Sequence, residues 1–157
     1  MPLKIIKENN KFDITITKNL DDIRILRNAI GTWLEEIKIN AFKIMSIKLC
    51  IEEAIYNGML HPYKNAKPQE KVVHLIVKKV KNSIKMVVRD YGKEEWYKNY
   101  KIPDALNTEG AGQSGRGLII MKNLSDKIKI VNSKNYGTKV CMTVNLPNTN
   151  NTIQEGF

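Results

Sequence analysis

The stretch Ile51–Tyr63, IEEAIYNGMLHPY, starts as an amphipathic helix and then gives inward-looking positions to polar groups. Glu53 and Asn57 stand four residues apart, and helical spacing puts this carboxylate and this amide on one face. Upstream, Asn40 can cap the helix that the stretch completes, AFKIMSIKLCIEEAIYNGMLH, with Ile44, Ile47, Ile51 and Ile55 along one stripe and Pro62 to end it. Earlier still, Phe12, Ile14 and Ile16 alternate with polar residues and predict a half-buried strand in KFDITIT. Asn19 then offers a cap to a helix from Leu20, whose apolar residues Ile23, Ile30, Trp33, Leu34 and Ile37 keep a helical period.

Downstream, VVHLIVKKV and SIKMVVRD are rich in β-branched residues and read as two strands with Asn82 at the turn. From Gly92 to Gly115 no period survives, and four glycines and a proline punctuate a segment with the length of a lid or binding loop. RGLIIMKNLSD resumes helical spacing. KIKIVNS and TKVCMTVNL form two further strands, with Gly137 supplying the turn. Residues 1–147 are thus expected to be one domain and 148–157 a flexible tail. The order strand, helix, helix, strand, strand, lid, helix, strand, strand predicts a two-layer α/β sandwich, a mostly antiparallel sheet with helices on one face.

A chain of 157 residues suits a single core. No apolar run approaches the ~20 residues of a membrane span, and the first residues lack a signal-peptide pattern. Cys50 and Cys141 lie far apart without metal-ligand spacing, so we expect core thiols in a reducing cytoplasm. The net charge of +10 raises nucleic acid as a partner, yet it comes from 22 Lys and only 4 Arg, scattered along the chain. Composition drift and a solvated surface account for it more simply, a basic surface could still favour an acidic protein partner or a nucleotide's phosphates, and neither a membrane nor direct nucleic-acid binding is expected. His61, ahead of Pro62, reads as a helix-end residue and His74 as strand filler.

Three further pieces fall at element ends. Asp90, Tyr91 and Gly92 close a strand with a carboxylate and a glycine; Gly112, Gly115 and Gly117 lead into a helix; Gly137 and Thr138 open the last strand. Glycines at a helix start let N–H groups approach an anion that the helix dipole favours.

Together with the Glu53 and Asn57 helix, and in this order, these pieces resemble the Bergerat ATP-binding fold shared by sensor histidine kinases and DNA gyrase B subunits. Within that superfamily they are similar to the small serine kinases that act as anti-sigma factors. The likeness runs from about Ile44 to Leu146: an N-box with Glu53, Asn57, His61 and Tyr63, a first glycine box VVRDYG, a second box SGRGLIIMKNLSD, and a closing YGTKVCMTVNL. The resemblance implies that Glu53 is the general base for an attacking serine and that Asn57 is the Mg²⁺ ligand. It implies that Asp90 accepts from the adenine amino group with Thr138 beside it, and that Gly92 lets the chain pass close to the base. Gly112, Gly115, Arg116, Gly117 and Leu118 match the phosphate-binding segment.

The implied cofactors are ATP and Mg²⁺. The implied partners are a sigma factor and an anti-anti-sigma protein of the STAS type, and the implied assembly is a homodimer through the first helix and strand. Phosphoryl transfer asks for a metal, a phosphate cradle and an oriented base, which these residues would supply. The family's first box continues Asp-x-Gly-x-Gly, whereas Glu94 stands here at the fifth position. That departure keeps open a second reading, a nucleotide-binding or degenerate module that sequesters a partner without kinase activity.

Overall fold

A computed structural model describes residues 3–17, 19–63, 66–67, 71–92, 113–132 and 137–147. They form β1 (Lys4–Glu8), β2 (Lys11–Thr17), α1 (Leu20–Glu36), α2 (Ala41–Leu60), β3 (Val72–Val80), β4 (Ser83–Asp90), α3 (Gln113–Leu124), β5 (Lys127–Asn132) and β6 (Thr138–Asn145). The strands make one sheet in the order β1-β2-β3-β4-β6-β5, and every neighbouring pair is antiparallel. This is the two-layer α/β sandwich expected from the sequence.

Alternation sets the layers. Phe12, Ile14 and Ile16 of β2, Val73, Leu75 and Val77 of β3, and Ile84, Met86 and Val88 of β4 are all buried in the core shared with the helices. From α1 come Ile23, Leu26, Ile30 and Leu34, with Trp33 meeting Phe12 edge to face at 5.2 Å. The predicted stripe of α2, Ile44, Ile47, Ile51 and Ile55, is buried as a whole. Both helix starts are capped as read: Asp21 N–H donates to Asn19 Oδ1 at 3.1 Å and Lys43 N–H to Asn40 Oδ1 at 2.9 Å, each cap worth about 1 kcal/mol. The turn between β3 and β4 places Lys81 at φ +51° beside Asn82.

Four features differ from the sequence reading. β1 is an additional strand: its adjacent Ile5 and Ile6 break the alternation that marks a strand, and on the core side it presents Ile5 together with Lys7, whose ammonium lies over the Phe12 ring. α3 begins at Gln113, so Gly115 lies inside its first turn and not ahead of it. Cys50 is buried in the core, but Cys141 is half-buried on the opposite face of the sheet. His74 is no filler, since its Nε2 meets Asp13 Oδ1 at 2.5 Å and this contact holds the Asp13 carboxyl below its usual pKa. The predicted tail at 148–157 and most of the predicted lid lie outside the described residues.

Candidate functional site

The middle of α2 and the start of α3 meet around two polar side chains. Glu53 and Asn57 occupy successive turns of α2 on the side that faces α3. Gly117 makes the approach possible: a Cβ there would stand 2.7 Å from Glu53 Oε2 and 3.3 Å from Asn57 Nδ2. Asn57 is only 4% exposed, and its Nδ2 has no hydrogen-bond partner among the described residues. An unpaired buried amide costs about 1–3 kcal/mol, so this group is arranged for a ligand that satisfies it. Turned over, the same amide presents its oxygen.

Glu53 is half-buried, and burial, followed by the like charge of Glu52, holds its pKa above the ordinary glutamate value. Glu52 itself leans toward α1, 3.4 Å from Arg27 Nη1. A carboxylate with a raised proton affinity beside an unsatisfied amide can accept a proton from a hydroxyl brought to the same spot. Among the described residues no three His, Cys, Asp or Glu side chains cluster as a metal would need. A cation here would therefore take Asn57 as its protein ligand and draw on phosphate and water oxygens for the rest, as Mg²⁺ commonly does.

The second part of the site lies where β4 ends. Asp90 is 2% exposed, and its Oδ1 accepts from Gly92 N–H at 3.1 Å and from Thr138 N–H at 3.2 Å. Gly137, at φ +92°, enters β6 so close to β4 that a Cβ would lie 1.9 Å from the Asp90 carbonyl oxygen. Thr138 is buried beside it. The space left by the missing side chain of Gly92 is filled by Pro62, whose carbonyl oxygen would be 2.4 Å from a Cβ there. Gly58, next to Asn57 on α2, joins the two parts: a Cβ there would stand 3.8 Å from the Asp90 Cβ.

Tyr63 fastens this corner, a role for which the sequence offered only the residue's place in the N-box. Its hydroxyl donates to Val72 O at 2.8 Å and accepts from Tyr91 N–H at 2.8 Å, so the chain leaving α2 is tied to the start of β3 and the end of β4. Tyr63→Phe leaves two inward-facing backbone groups without that partner. We expect a loss of about 1–3 kcal/mol in denaturant unfolding.

Of the other sequence candidates, Arg116 is exposed on the first turns of α3 and Gly115 lies in that helix. Leu118 is 1% exposed and packs in the core, so it can meet a ligand only through its main chain. Gly112 lies outside the described residues. His61 caps α2, its N–H donating to Asn57 O at 3.1 Å, in keeping with a helix-end role.

Known proteins are similar to this chain in sequence and in fold. Curated relatives include the anti-sigma F factors of Bacillus cytotoxicus, 24% identical over 125 residues, and of Bacillus thuringiensis, 25% identical over 126 residues. Each alignment spans 79% of this chain and 84% of the relative. Among solved structures, the SiaB–SiaC complex from Pseudomonas aeruginosa matches with a TM-score of 0.68 at 12% identity, covering 84% of this chain and 88% of that one. The RsbU and RsbW domains of a Mycobacterium tuberculosis protein match with a TM-score of 0.60 at 20% identity, covering 88% of this chain and 32% of that longer one. The family model for the histidine kinase-like ATPase domain matches residues 16–144, from the end of β2 through β6. That span takes in both parts of the site and the core that carries them, and the chain belongs to the histidine kinase-like ATPase domain family.

Proposed function

We propose that this chain is a Mg-ATP-dependent protein serine kinase that acts as an anti-sigma factor, phosphorylating a serine of a small anti-anti-sigma partner and sequestering a sigma factor in the cytoplasm as a homodimer. The observation that carries this reading is the meeting of the Glu53 carboxylate and the unsatisfied Asn57 amide at Gly117. The relatives named anti-sigma F factor support the regulatory half of it.

Each residue then has one task. Asp90, held in place by Gly92 and Thr138 N–H groups, is positioned to accept from the adenine amino group through its carboxylate. The start of α3 offers N–H groups and the positive end of the helix dipole to the phosphates. Asn57 would hold Mg²⁺, and the ion would neutralise negative charge on the phosphates during transfer. Glu53 takes the proton from the serine hydroxyl as its oxygen bonds to the γ-phosphorus; the bond from that phosphorus to the β-bridging oxygen breaks, and ADP departs with the electron pair. Binding and orientation supply most of the acceleration in such a transfer.

The test is incubation of the chain with ATP, Mg²⁺ and an anti-anti-sigma protein, followed by mass spectrometry of that protein. A phosphoserine on the partner is the expected result; an unmodified partner alongside tight ATP binding favours the second reading, the sequestering module suggested by Glu94. A titration with labelled ATP, with and without Mg²⁺, separates nucleotide binding from its absence.

The raised pKa of Glu53 adds a pH signature. A base works only when ionised, so transfer fades as pH falls through the folded-state pKa, and that limb lies above the range of an unperturbed glutamate. Glu52→Gln removes the second cause of the shift, and a pH–rate profile of this variant is expected to show the limb moved to lower pH.

A further inference from the structure

The lysines that look scattered in the sequence are gathered by the sheet. On a strand, parity decides which face a side chain takes, and most strand lysines fall on the parity turned away from the helices. Register then lines up Lys11, Lys78, Lys85 and Lys127 in a row across the strands, with Thr143 in the place between the last two. Lys78, Lys85 and Lys127 are exposed and enter no ion pair among the described residues. Four residues away along the strands, Arg89 and Lys139 face each other in a second basic row. Between the rows, Ile76, Val87 and Cys141 stand in register as a short apolar stripe over β3, β4 and β6, with Asp13 and Lys129 at its two ends in the same row. The nearby carboxylate of Asp13 is engaged by His74 and Lys11.

We propose that this sheet face, which no helix covers among the described residues, is a docking surface for an acidic amphipathic helix of a protein partner. The helix would cross the strands with its apolar stripe on Ile76, Val87 and Cys141. Its carboxylates would face the lysine row on one side and Arg89 with Lys139 on the other.

The dimensions agree with such an occupant. Each basic row lies about 7 Å from the apolar stripe, two residues along a strand, and a helix flanks its apolar seam with side chains at a similar offset. The apolar stripe spans three strands, about 10 Å or about two turns of a helix, and the lysine row extends over five strands, about 19 Å, so the charged flanks of a longer helix reach past the stripe on both sides. An apolar centre inside a charged rim is the anatomy of a protein interface. Nucleic acid fits less well: the outward positions of the described strands hold no Phe, Trp or Tyr on which a base could stack, and Arg89 is their one arginine. A second copy presenting the same face would meet it with like charge.

The experiment uses a fluorescent peptide of about 16 residues, helical, with a leucine seam flanked by glutamates, and reads anisotropy against the full chain at about 0.1 M salt. The peptide is expected to bind at least about tenfold more tightly than a scrambled peptide of the same composition. K78E/K85E is expected to weaken it by at least about tenfold while the thermal midpoint and ATP affinity stay unchanged. Exchanging the glutamates of the peptide for lysines should reverse the preference, so that K78E/K85E binds the lysine peptide more tightly than the parent chain does. Equal binding of the scrambled peptide, tighter binding of duplex DNA or anionic vesicles, or no binding of the peptide would each overturn the proposal.

Discussion

Glu53→Gln is expected to lower the proposed phosphate transfer to an anti-anti-sigma partner by about 10²- to 10⁴-fold, the contribution typical of one positioned base, while ATP affinity stays within about threefold of the parent chain. Glutamine keeps the shape and can still face Gly117, but it cannot take a proton. The loss should therefore appear in the single-turnover rate and not in the nucleotide Kd.

The same substitution separates a failed base from a failed fold. The pKa of Glu53 is raised in the folded chain, so its stabilising contribution is complete below the unfolded-state pKa and is lost as pH rises through the folded value. At neutral pH the ionised group is therefore a cost, and Glu53→Gln removes it. The variant should melt at or above the parent temperature at pH 7. An inactive, unfolded protein would say nothing about the base, whereas a stable variant that still transferred phosphate would move that role to another residue.

Gly137→Ala is expected to have the largest structural effect of any single methyl added to this molecule. Two independent costs coincide at that position. The φ of +92° is strained for any residue with a Cβ, and the new methyl would overlap the Asp90 carbonyl oxygen at 1.9 Å. The obstacle is main chain of a neighbouring strand, which cannot rotate away, so β4 and β6 must part. Strain and overpacking together come to about 3–5 kcal/mol. For a chain of this size that corresponds to a fall in Tm of about 10 °C. Because the displaced carbonyl belongs to Asp90, ATP affinity should fall by at least about tenfold even where the variant remains folded. A Gly137→Ala chain with parental Tm and parental ATP Kd would mean that β6 does not enter against Asp90.

Much of this could be read from residues. The cap at Asn40, the isoleucine stripe of α2 and the stop at Pro62 are local signals, and local physics turned them into Ala41–Leu60. The strands from Val72 to Asp90 were legible for the same reason. What escaped depends on neighbours far along the chain. β1 is a strand because β2 pairs with it, not because Lys4–Glu8 alternates. The start of α3 was read late because its periodic apolar residues begin only at Leu118.

The neighbours that make two site glycines necessary are equally remote in sequence. Gly92 makes room for Pro62, and Gly137 makes room for Asp90; neither partner can be inferred from the turn residues around the glycine. Lysine rows are a further case, since parity is written within each strand but register between strands is written in none of them. The sequence reading consequently placed the positive charge everywhere, while the sheet collects much of it on one side.

The helix that carries Glu53 and Asn57 is also the one against which α1, α3, β3, β4 and β6 all rest. An element so enclosed opens only when the whole molecule does, with a free energy close to that of global unfolding. The two side chains therefore cannot be switched by swinging their own helix in and out of position. Any change that a ligand brings about at Glu53 and Asn57 therefore falls on the elements packed around α2, with the helix itself as the fixed reference.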